Sequence, residues 1–280
     1  MKRVYHQMSS RLLLIGLVFM AACGPSMKLT VPERFREQAT MQHVKGAHQN
    51  KMSFANYSTS RIKRGMQIKY PGWGRLFFLD NLVLNQFGIS KSETVENEKA
   101  RFRFSISDGN NSLQVFGAER EVEKRHEYSI LNSKSVLNGI GIVQQYEYVF
   151  SALISGDTTS ESSKWEVLMT NLYDRKASKD MNPFGLIKQE DSGLATNGTD
   201  TIFIKPLSIK KTELSNGKSG KLPFKVLSGY ELSTTGGVIG IVDLIDHNIW
   251  YYNELDNAEK LSISAISTAL LARQVNDAKW

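Results

Sequence analysis

The sequence predicts a mostly β, α+β fold: an antiparallel sheet or sandwich-like domain with a C-terminal helix packed on one face. Segments of alternating polar and apolar residues recur along the chain, 21 glycines supply turns, and one late segment carries the signals of a helix start. Hydrophobic residues make up 41% of the chain, which is enough to bury a sizeable core. The length is above that of a typical domain but within the range of single all-β domains, so we expect one domain.

The first extended segments are expected at Met41–Lys45, Met52–Phe54 and Ser60–Tyr70. The run Tyr70–Gly74 contains a proline and two glycines, so it predicts a turn, and a strand should follow at Arg75–Leu79.

Two β-hairpins are predicted next. Arg101–Ser107 alternates polar and apolar residues without error, Asp108–Asn111 has the composition of a turn, and Leu113–Phe116 returns the chain. A longer hairpin is expected to pair Ile142–Ile154 with Trp165–Met169.

Two stretches are expected to lack regular structure. Ser155–Ser163 holds only small or charged residues, and Asp174–Thr201 is dense in Lys, Asp, Gly and Asn, which predicts an irregular surface excursion. Three further strands are predicted beyond it, at Thr201–Lys205, Ser208–Leu214 and Phe224–Leu232.

The C-terminal part carries the clearest structural signals. Val238–Ile245 is a nearly continuous β-branched run, typical of a strand covered on both faces, and Ile249–Tyr252 returns after a turn, so this hairpin should be central. A helix is predicted from Asp256, with Glu259 completing a capping box, to about Arg273. Its many alanines and serines permit close approach to a sheet, and Arg273 would lie near the negative end of the helix dipole.

The start of the chain predicts export. Lys2, Arg3 and Arg11 give a positive segment, and the apolar run Leu12–Phe19 is too short to span the hydrocarbon layer of a membrane. We therefore interpret it as a secretory signal peptide rather than a membrane helix.

The sequence Met20-Ala21-Ala22-Cys23 resembles the lipobox of bacterial lipoproteins, an aliphatic residue and two small ones before a cysteine. The resemblance implies cleavage before Cys23 and fatty acylation of that residue, which would tether the protein to a membrane without crossing it. Because Gly24 and not aspartate follows the cysteine, the resemblance also implies the outer membrane of the bacterial cell envelope. The expected organisation is a signal peptide at 1–22, a flexible tether at 23–39 and a β-rich domain at 40–280.

Charge and cysteine content exclude several functions. Removal of three basic residues with the signal leaves 32 Lys+Arg against 28 Asp+Glu, a net charge of about +4, which is far below a nucleic-acid footprint. Export also removes nucleic acid as a partner. Cys23 is the only cysteine, so its acylation would exclude disulfides, thiolate metal sites and cysteine nucleophiles together.

The cluster Asp243, Asp246 and His247 is the best place to look for catalysis, since a carboxylate that orients a histidine is how general bases are built. Asp and Asn in a tight turn, however, usually bond their own backbone. Asp243 interrupts an apolar strand and must be paired or hydrogen-bonded if it is buried, and we favour a structural ion pair over a catalytic one.

Other motifs are incomplete. His126-Glu127 begins the zinc-protease pattern H-E-x-x-H, but Ile130 occupies its last position. His43 and His48 could meet across a turn, although exposed histidines near a tether are usually solvated. The glycines at 236, 237 and 240 precede a strand, whereas a dinucleotide-binding loop follows one. We expect no cofactor, no metal and no catalytic residue.

Two surface features leave binding open. Arg61, Lys63 and Arg64 could meet lipid phosphates or simply protect a strand edge. Aromatic residues could line a groove for a glycan or an acyl chain, although core packing is the commoner role; these are Trp73, Phe77, Phe78, Tyr146, Tyr148, Trp165, Trp250, Tyr251 and Tyr252.

The preferred functional hypothesis is a noncatalytic, lipid-anchored envelope protein that binds a partner protein, a glycan or a lipid. Two alternatives stay open: an envelope hydrolase with its site near Asp243 and His247, and a lipid carrier, which needs an apolar cavity open to solvent.

Overall fold

The computed structural model describes residues 27–47, 49–65, 96–127, 141–156, 164–174, 191–213 and 219–273. Within these ranges thirteen strands form one antiparallel sheet, which confirms the predicted fold class. The strands are β1 (Ala39–His43), β2 (Ser53–Phe54), β3 (Tyr57–Thr59), β4 (Lys63–Arg64), β5 (Glu96–Ser107), β6 (Ser112–Glu127), β7 (Gly141–Gly156), β8 (Trp165–Asp174), β9 (Ser192–Thr196), β10 (Thr201–Glu213), β11 (Ser219–Thr234), β12 (Gly237–Asp243) and β13 (Asn248–Tyr252). The helices are α1 (Glu33–Glu37) and α2 (Asn257–Ala272).

The sheet curls until its two ends meet. The strand order is β1-β13-β12-β11-β10-β9-β8-β7-β6-β5-β3-β2, with β4 paired to β5. Just beyond β1, the backbone of Lys45 exchanges hydrogen bonds with that of Ser53 in β2, at 2.9 and 3.0 Å. The described architecture is thus one nearly closed antiparallel sheet.

The helix α2 begins where the sequence predicts and lies on the concave face of the sheet. The Asp256 carboxylate accepts from the backbone N–H of Glu259, whose own carboxylate accepts from the N–H of Asp256, both at 2.8 Å. The helix contacts β5, β6 and β7 on one side and β12 and β13 on the other. From Leu261 to Ala272 nearly every residue is buried, because the sheet surrounds the helix on several sides.

Small residues allow the helix and the sheet to approach closely. A Cβ atom built on Gly240 of β12 would lie only 3.3 Å from Cγ2 of Ile263 in α2. In the same core, the ring of Phe102 covers Gly117, and Phe102 also stacks on Phe104 and Phe150 with ring centroids 6.0 and 6.2 Å apart. The concave face therefore holds the main hydrophobic core.

The two predicted hairpins are confirmed as β5–β6 and β7–β8. In the first, the Asp108 carboxylate accepts from the backbone N–H groups of Asn110 and Asn111, at 2.9 and 2.7 Å. Gly109 adopts a φ of 98° in this turn, which an L side chain rarely does. The predicted strand at 75–79 and most of the loop at 155–163 lie outside the described residues.

Two strand predictions need correction. The stretch predicted as irregular contains β9, and the two segments predicted at 201–205 and 208–214 form the single strand β10. The pairing of β9 with β10 ends at Ile204, so Pro206 has no ladder hydrogen bond to lose on that side of the strand. Pro206 therefore lies within one continuous strand.

The hairpin β12–β13 exists as predicted but is not central. Only β1 lies between β13 and the end of the strand order. On β12, both Ile241 and Val242 are fully buried although neighbouring strand residues point to opposite faces, so coverage on both faces is confirmed for this part of the strand.

The N-terminal segment is packed and not wholly flexible. Within the predicted tether at 23–39, residues 33–37 form α1, whose Phe35 is buried. Leu29 lies against β11: if Gly229 carried a Cβ atom, that atom would lie 3.3 Å from Cδ2 of Leu29. Residues 1–26, including Cys23, lie outside the described part. No helix in the described part is long and apolar enough to cross a membrane.

Candidate functional site

The most unusual site in the described structure is a buried arginine at the end of α2. Arg273 follows the last helical residue with extended backbone angles, and this turns its side chain into the interior, where it is 1% exposed. A buried guanidinium is costly unless it is paired and hydrogen-bonded.

Hydrogen bonds occupy all three guanidinium nitrogens. Nη2 donates to the Asp191 carboxylate at 2.5 Å, Nη1 donates to the Tyr230 hydroxyl at 2.9 Å, and Nε donates to the Tyr148 hydroxyl at 3.2 Å. Asp191 itself is 6% exposed in its side chain, so the ion pair is dry on both sides. Nη1 also lies 3.4 Å from the Met169 sulfur.

Each of these two tyrosine hydroxyls also donates a hydrogen bond to a carboxylate. Tyr230 donates to Asp191 at 2.8 Å, and Tyr148 donates to Glu119 at 3.0 Å. Arg273 is thus linked to Asp191 directly and through Tyr230, and to the fully buried Glu119 through Tyr148. This arrangement satisfies the buried polar groups in the way a low-dielectric interior requires.

Three aromatic rings enclose the guanidinium. Its Cζ atom lies 5.0 Å from the ring centroid of Phe150, 5.1 Å from that of Tyr148 and 5.6 Å from that of Tyr230. Each ring presents a favourable face to a cation, and such contacts are worth more when the cation is desolvated. The cage therefore offsets part of the cost of burying the charge.

The aromatic contacts continue to a second arginine. Phe150 stacks on Phe102, and the guanidinium of Arg64 lies 5.7 Å from the centroid of the Phe102 ring. Partial burial lowers the pKa of Arg64, and the negative charge of Glu119 opposes that shift. Glu119 thus acts on Arg64 through its charge and is linked to Arg273 through the Tyr148 hydroxyl.

Burial raises the pKa of both tyrosines in this cluster above the ordinary value of 10.0. For Arg273, burial acts to lower the pKa, but Tyr230, Tyr148 and Asp191 outweigh it and the pKa is raised, so the guanidinium stays charged. The cluster, which we call the Arg273 cluster, comprises Arg273, Asp191, Tyr148, Tyr230 and Glu119. Its hydroxyls stay protonated and its charges stay paired, which suits a structural role better than acid–base chemistry.

The predicted Asp243 and His247 site has a different geometry from the one catalysis would need. Asp243 is 3% exposed, and its carboxylate accepts from the backbone N–H groups of Ile245 and Asp246, at 2.9 and 3.1 Å. It also accepts from the side-chain amide of Asn248 at 3.2 Å. Asp243 is therefore a turn-capping residue, and the ion pair with a lysine or arginine that we expected is not what satisfies it.

His247 occupies the turn itself. Its φ of 54° lies in the left-handed region, and its carbonyl accepts from the backbone N–H of Val44 at 2.8 Å. The side-chain amide of Asn248 joins this turn to β1, because its oxygen accepts from Nδ1 of His43 at 3.0 Å. His43 and His247 thus belong to the connection between β1 and the β12–β13 turn.

The other predicted features are distributed as follows. His126 and Glu127 end strand β6, whereas the zinc-protease pattern requires a helix. His48 lies outside the described residues. Within those residues no group of three His, Cys, Asp or Glu side chains could hold a metal ion.

Among the predicted aromatics, Tyr148 and Tyr251 are core residues, 7% and 4% exposed. Trp165, Trp250 and Tyr252 are partly buried, and Trp73, Phe77 and Phe78 lie outside the described residues, as does the side chain of Tyr146. The Arg273 cluster was not predicted from the sequence. The available signal was a lone charge, Arg273, directly after twelve helical residues that contain no charged side chain.

Comparison with known proteins adds no relatives: no protein-family model, curated protein or solved structure matches this chain.

Proposed function

We propose that this chain is a lipid-anchored protein of the bacterial cell envelope, attached through fatty acids on Cys23, and that its domain acts by binding and not by catalysis. The anchor is supported by the Met20-Ala21-Ala22-Cys23 sequence after a short apolar run. Gly24 after the cysteine supports the outer membrane as its location.

The observation that carries the noncatalytic part is the closed state of the Arg273 cluster. A catalytic acid, base or electrophile must reach substrate, yet Arg273 and Asp191 are 1% and 6% exposed in their side chains and bond to each other. The described residues thus support a domain that presents a surface to a partner protein, a glycan or a lipid.

The two alternatives are less well supported. A hydrolase near Asp243 and His247 needs an accessible carboxylate, whereas Asp243 is buried and engaged by three donors. A lipid carrier needs an apolar cavity, whereas α2 occupies the concave face where that cavity would lie, with Ala265 and Ala269 fully buried.

The anchor is tested by metabolic labelling with palmitate. The unmodified chain should be labelled and fractionate with membranes, and Cys23→Ser should lose the label. A matched control, Cys23→Ser combined with Ser26→Cys, restores a thiol three positions beyond the lipobox and should remain unlabelled. Labelling of that control, or of Cys23→Ser, would contradict acylation at Cys23, as would an unlabelled parent chain.

A further inference from the structure

The long hairpin β10–β11 is rich in exposed lysines. Its strands carry five lysines against two glutamates, a net charge of +3. All five lysines are exposed; they are Lys205, Lys210, Lys211, Lys221 and Lys225. One of them, Lys205, lies 3.8 Å from the carboxylate of Glu231, so the excess positive charge rests on the other four.

Two of these lysines lie directly opposite each other. The Cα of Lys211 pairs with that of Lys221 across the two strands. Like charges in directly opposed positions destabilise a sheet, so this pair costs stability in the isolated protein. An anionic surface placed against the hairpin would relieve that repulsion.

The hairpin lies beside the point where the membrane anchor reaches the domain. Leu29 packs on Gly229 of β11, and Gly229 pairs with Leu207 of β10. From Cys23 to Leu29 the chain has six residues, which span at most about 20 Å when fully extended. Lys211 lies four residues beyond Leu207, or about 13 Å along the strand.

We propose that the β10–β11 hairpin rests on the membrane and binds anionic phospholipid headgroups through Lys211, Lys221 and the neighbouring lysines. The proposal rests on the lipid anchor proposed above, which would hold this hairpin within reach of the bilayer. The fatty acids on Cys23 would supply the attachment, and each lysine near an anionic surface adds about 1 kcal/mol of attraction, so the hairpin would orient the domain on the lipid.

The other basic group, at Arg61 and Lys63, provides a matched comparison. β4 pairs with β5. In the ring of strands, β5 lies opposite β11, because the same number of strands separates the two whichever way one goes around. Arg61 and Lys63 are exposed, as the lysines of the hairpin are. They carry the same charge as Lys211 and Lys221 but lie on the far side of the ring of strands from the strand that Leu29 contacts.

The test uses the mature chain, residues 23–280, with Cys23→Ser, so that binding does not depend on acylation. Vesicles of phosphatidylcholine alone are compared with vesicles of equal parts phosphatidylcholine and phosphatidylglycerol by co-sedimentation. We expect binding to the anionic vesicles only, weakening as salt is raised. Lys211→Gln combined with Lys221→Gln should weaken it about 30-fold, or about fivefold per lysine, and Arg61→Gln combined with Lys63→Gln should leave it within about twofold.

Equal losses in the two double variants, or no binding by the parent chain, would overturn the proposal. Circular dichroism of each variant establishes that it is folded, and the salt dependence of the parent chain tests the proposal without any substitution on the hairpin. Palmitate labelling is scored separately, so failure of the vesicle test with normal labelling would reject the hairpin contact alone.

Discussion

Arg273 and Asp191, separated by 82 positions in the sequence, form an ion pair in the interior of the domain. The pair joins the end of α2 to the start of β9, and the hydroxyls of Tyr148 and Tyr230 tie the same guanidinium to β7 and β11. The end of the helix is thereby held to three alternate strands of the sheet.

Removing one partner of this pair should destabilise the fold strongly. Asp191→Ala leaves the guanidinium buried without its carboxylate, and we expect the free energy of unfolding to fall by about 3–5 kcal/mol in urea denaturation. The control is the exposed pair of Arg36 and Glu33, whose side chains are 56% and 78% exposed. Glu33→Ala should change the free energy of unfolding by less than about 1 kcal/mol. Similar losses in the two variants would contradict the structural role of the Arg273 cluster.

The buried tyrosines predict alkaline unfolding. The pKa values of Tyr148, Tyr230 and Tyr251 are raised in the folded state, chiefly by burial, so the folded protein holds protons that the unfolded chain releases near pH 10. Their contribution to stability is fully present below that pH and is lost as the pH rises toward the folded values.

The free energy of unfolding, measured in urea at pH 8 and pH 10.5, should therefore be lower at the higher pH. Tyr230→Phe should reduce that difference, and absorbance at 295 nm should report phenol ionisation together with unfolding. Full ionisation of all tyrosines in a folded protein would show that these hydroxyls are accessible and would refute the prediction.

A methyl group at Gly117 should disturb the core. A Cβ atom there would lie 2.3 Å from the end of the Phe102 ring, which is fully buried and stacked between two other rings. We expect Gly117→Ala to lower the free energy of unfolding by about 1–3 kcal/mol, and Phe102→Leu in that background to recover part of it. Gly236→Ala, whose nearest neighbour would be 3.6 Å away, is the benign control, and equal effects at both glycines would be inconsistent with this contact.

The capping box should contribute measurably to α2. Asp256→Ala removes the acceptor for the Glu259 N–H and is expected to cost about 1 kcal/mol in thermal or urea unfolding. Asn257→Ala, one position into the helix, changes an exposed residue and should have little effect. A cost at Asn257 equal to that at Asp256 would argue against the cap.

The Asp243 turn can be tested in the same way. Asp243→Ala leaves two backbone N–H groups and one amide without their acceptor, so we expect a loss of about 1–3 kcal/mol in the free energy of unfolding. Asp246→Ala, at an exposed position of the same turn, should change stability little. A fully stable Asp243→Ala protein would reopen a functional role for this carboxylate.

Local patterns in the sequence were enough to predict the elements whose contacts lie between residues close together in the chain. The alternation at 101–107, the Asp108 turn and the Asp256 capping box all depend on residues within a few positions of one another, and all three are confirmed. The continuity of β10 through Pro206 was missed, because it depends on where the neighbouring strand β9 ends.

The sequence by itself determined the antiparallel β character, the boundaries of the long helix and the presence of a turn between β12 and β13. Only the tertiary structure decided that the sheet closes on itself between Lys45 and Ser53, that α2 lies in its concave face, and that Arg273 meets Asp191. The physical reason is that alternation and helix capping depend on residues a few positions apart. The Arg273–Asp191 pair depends on the curvature of the sheet, which brings together residues that are far apart in the sequence.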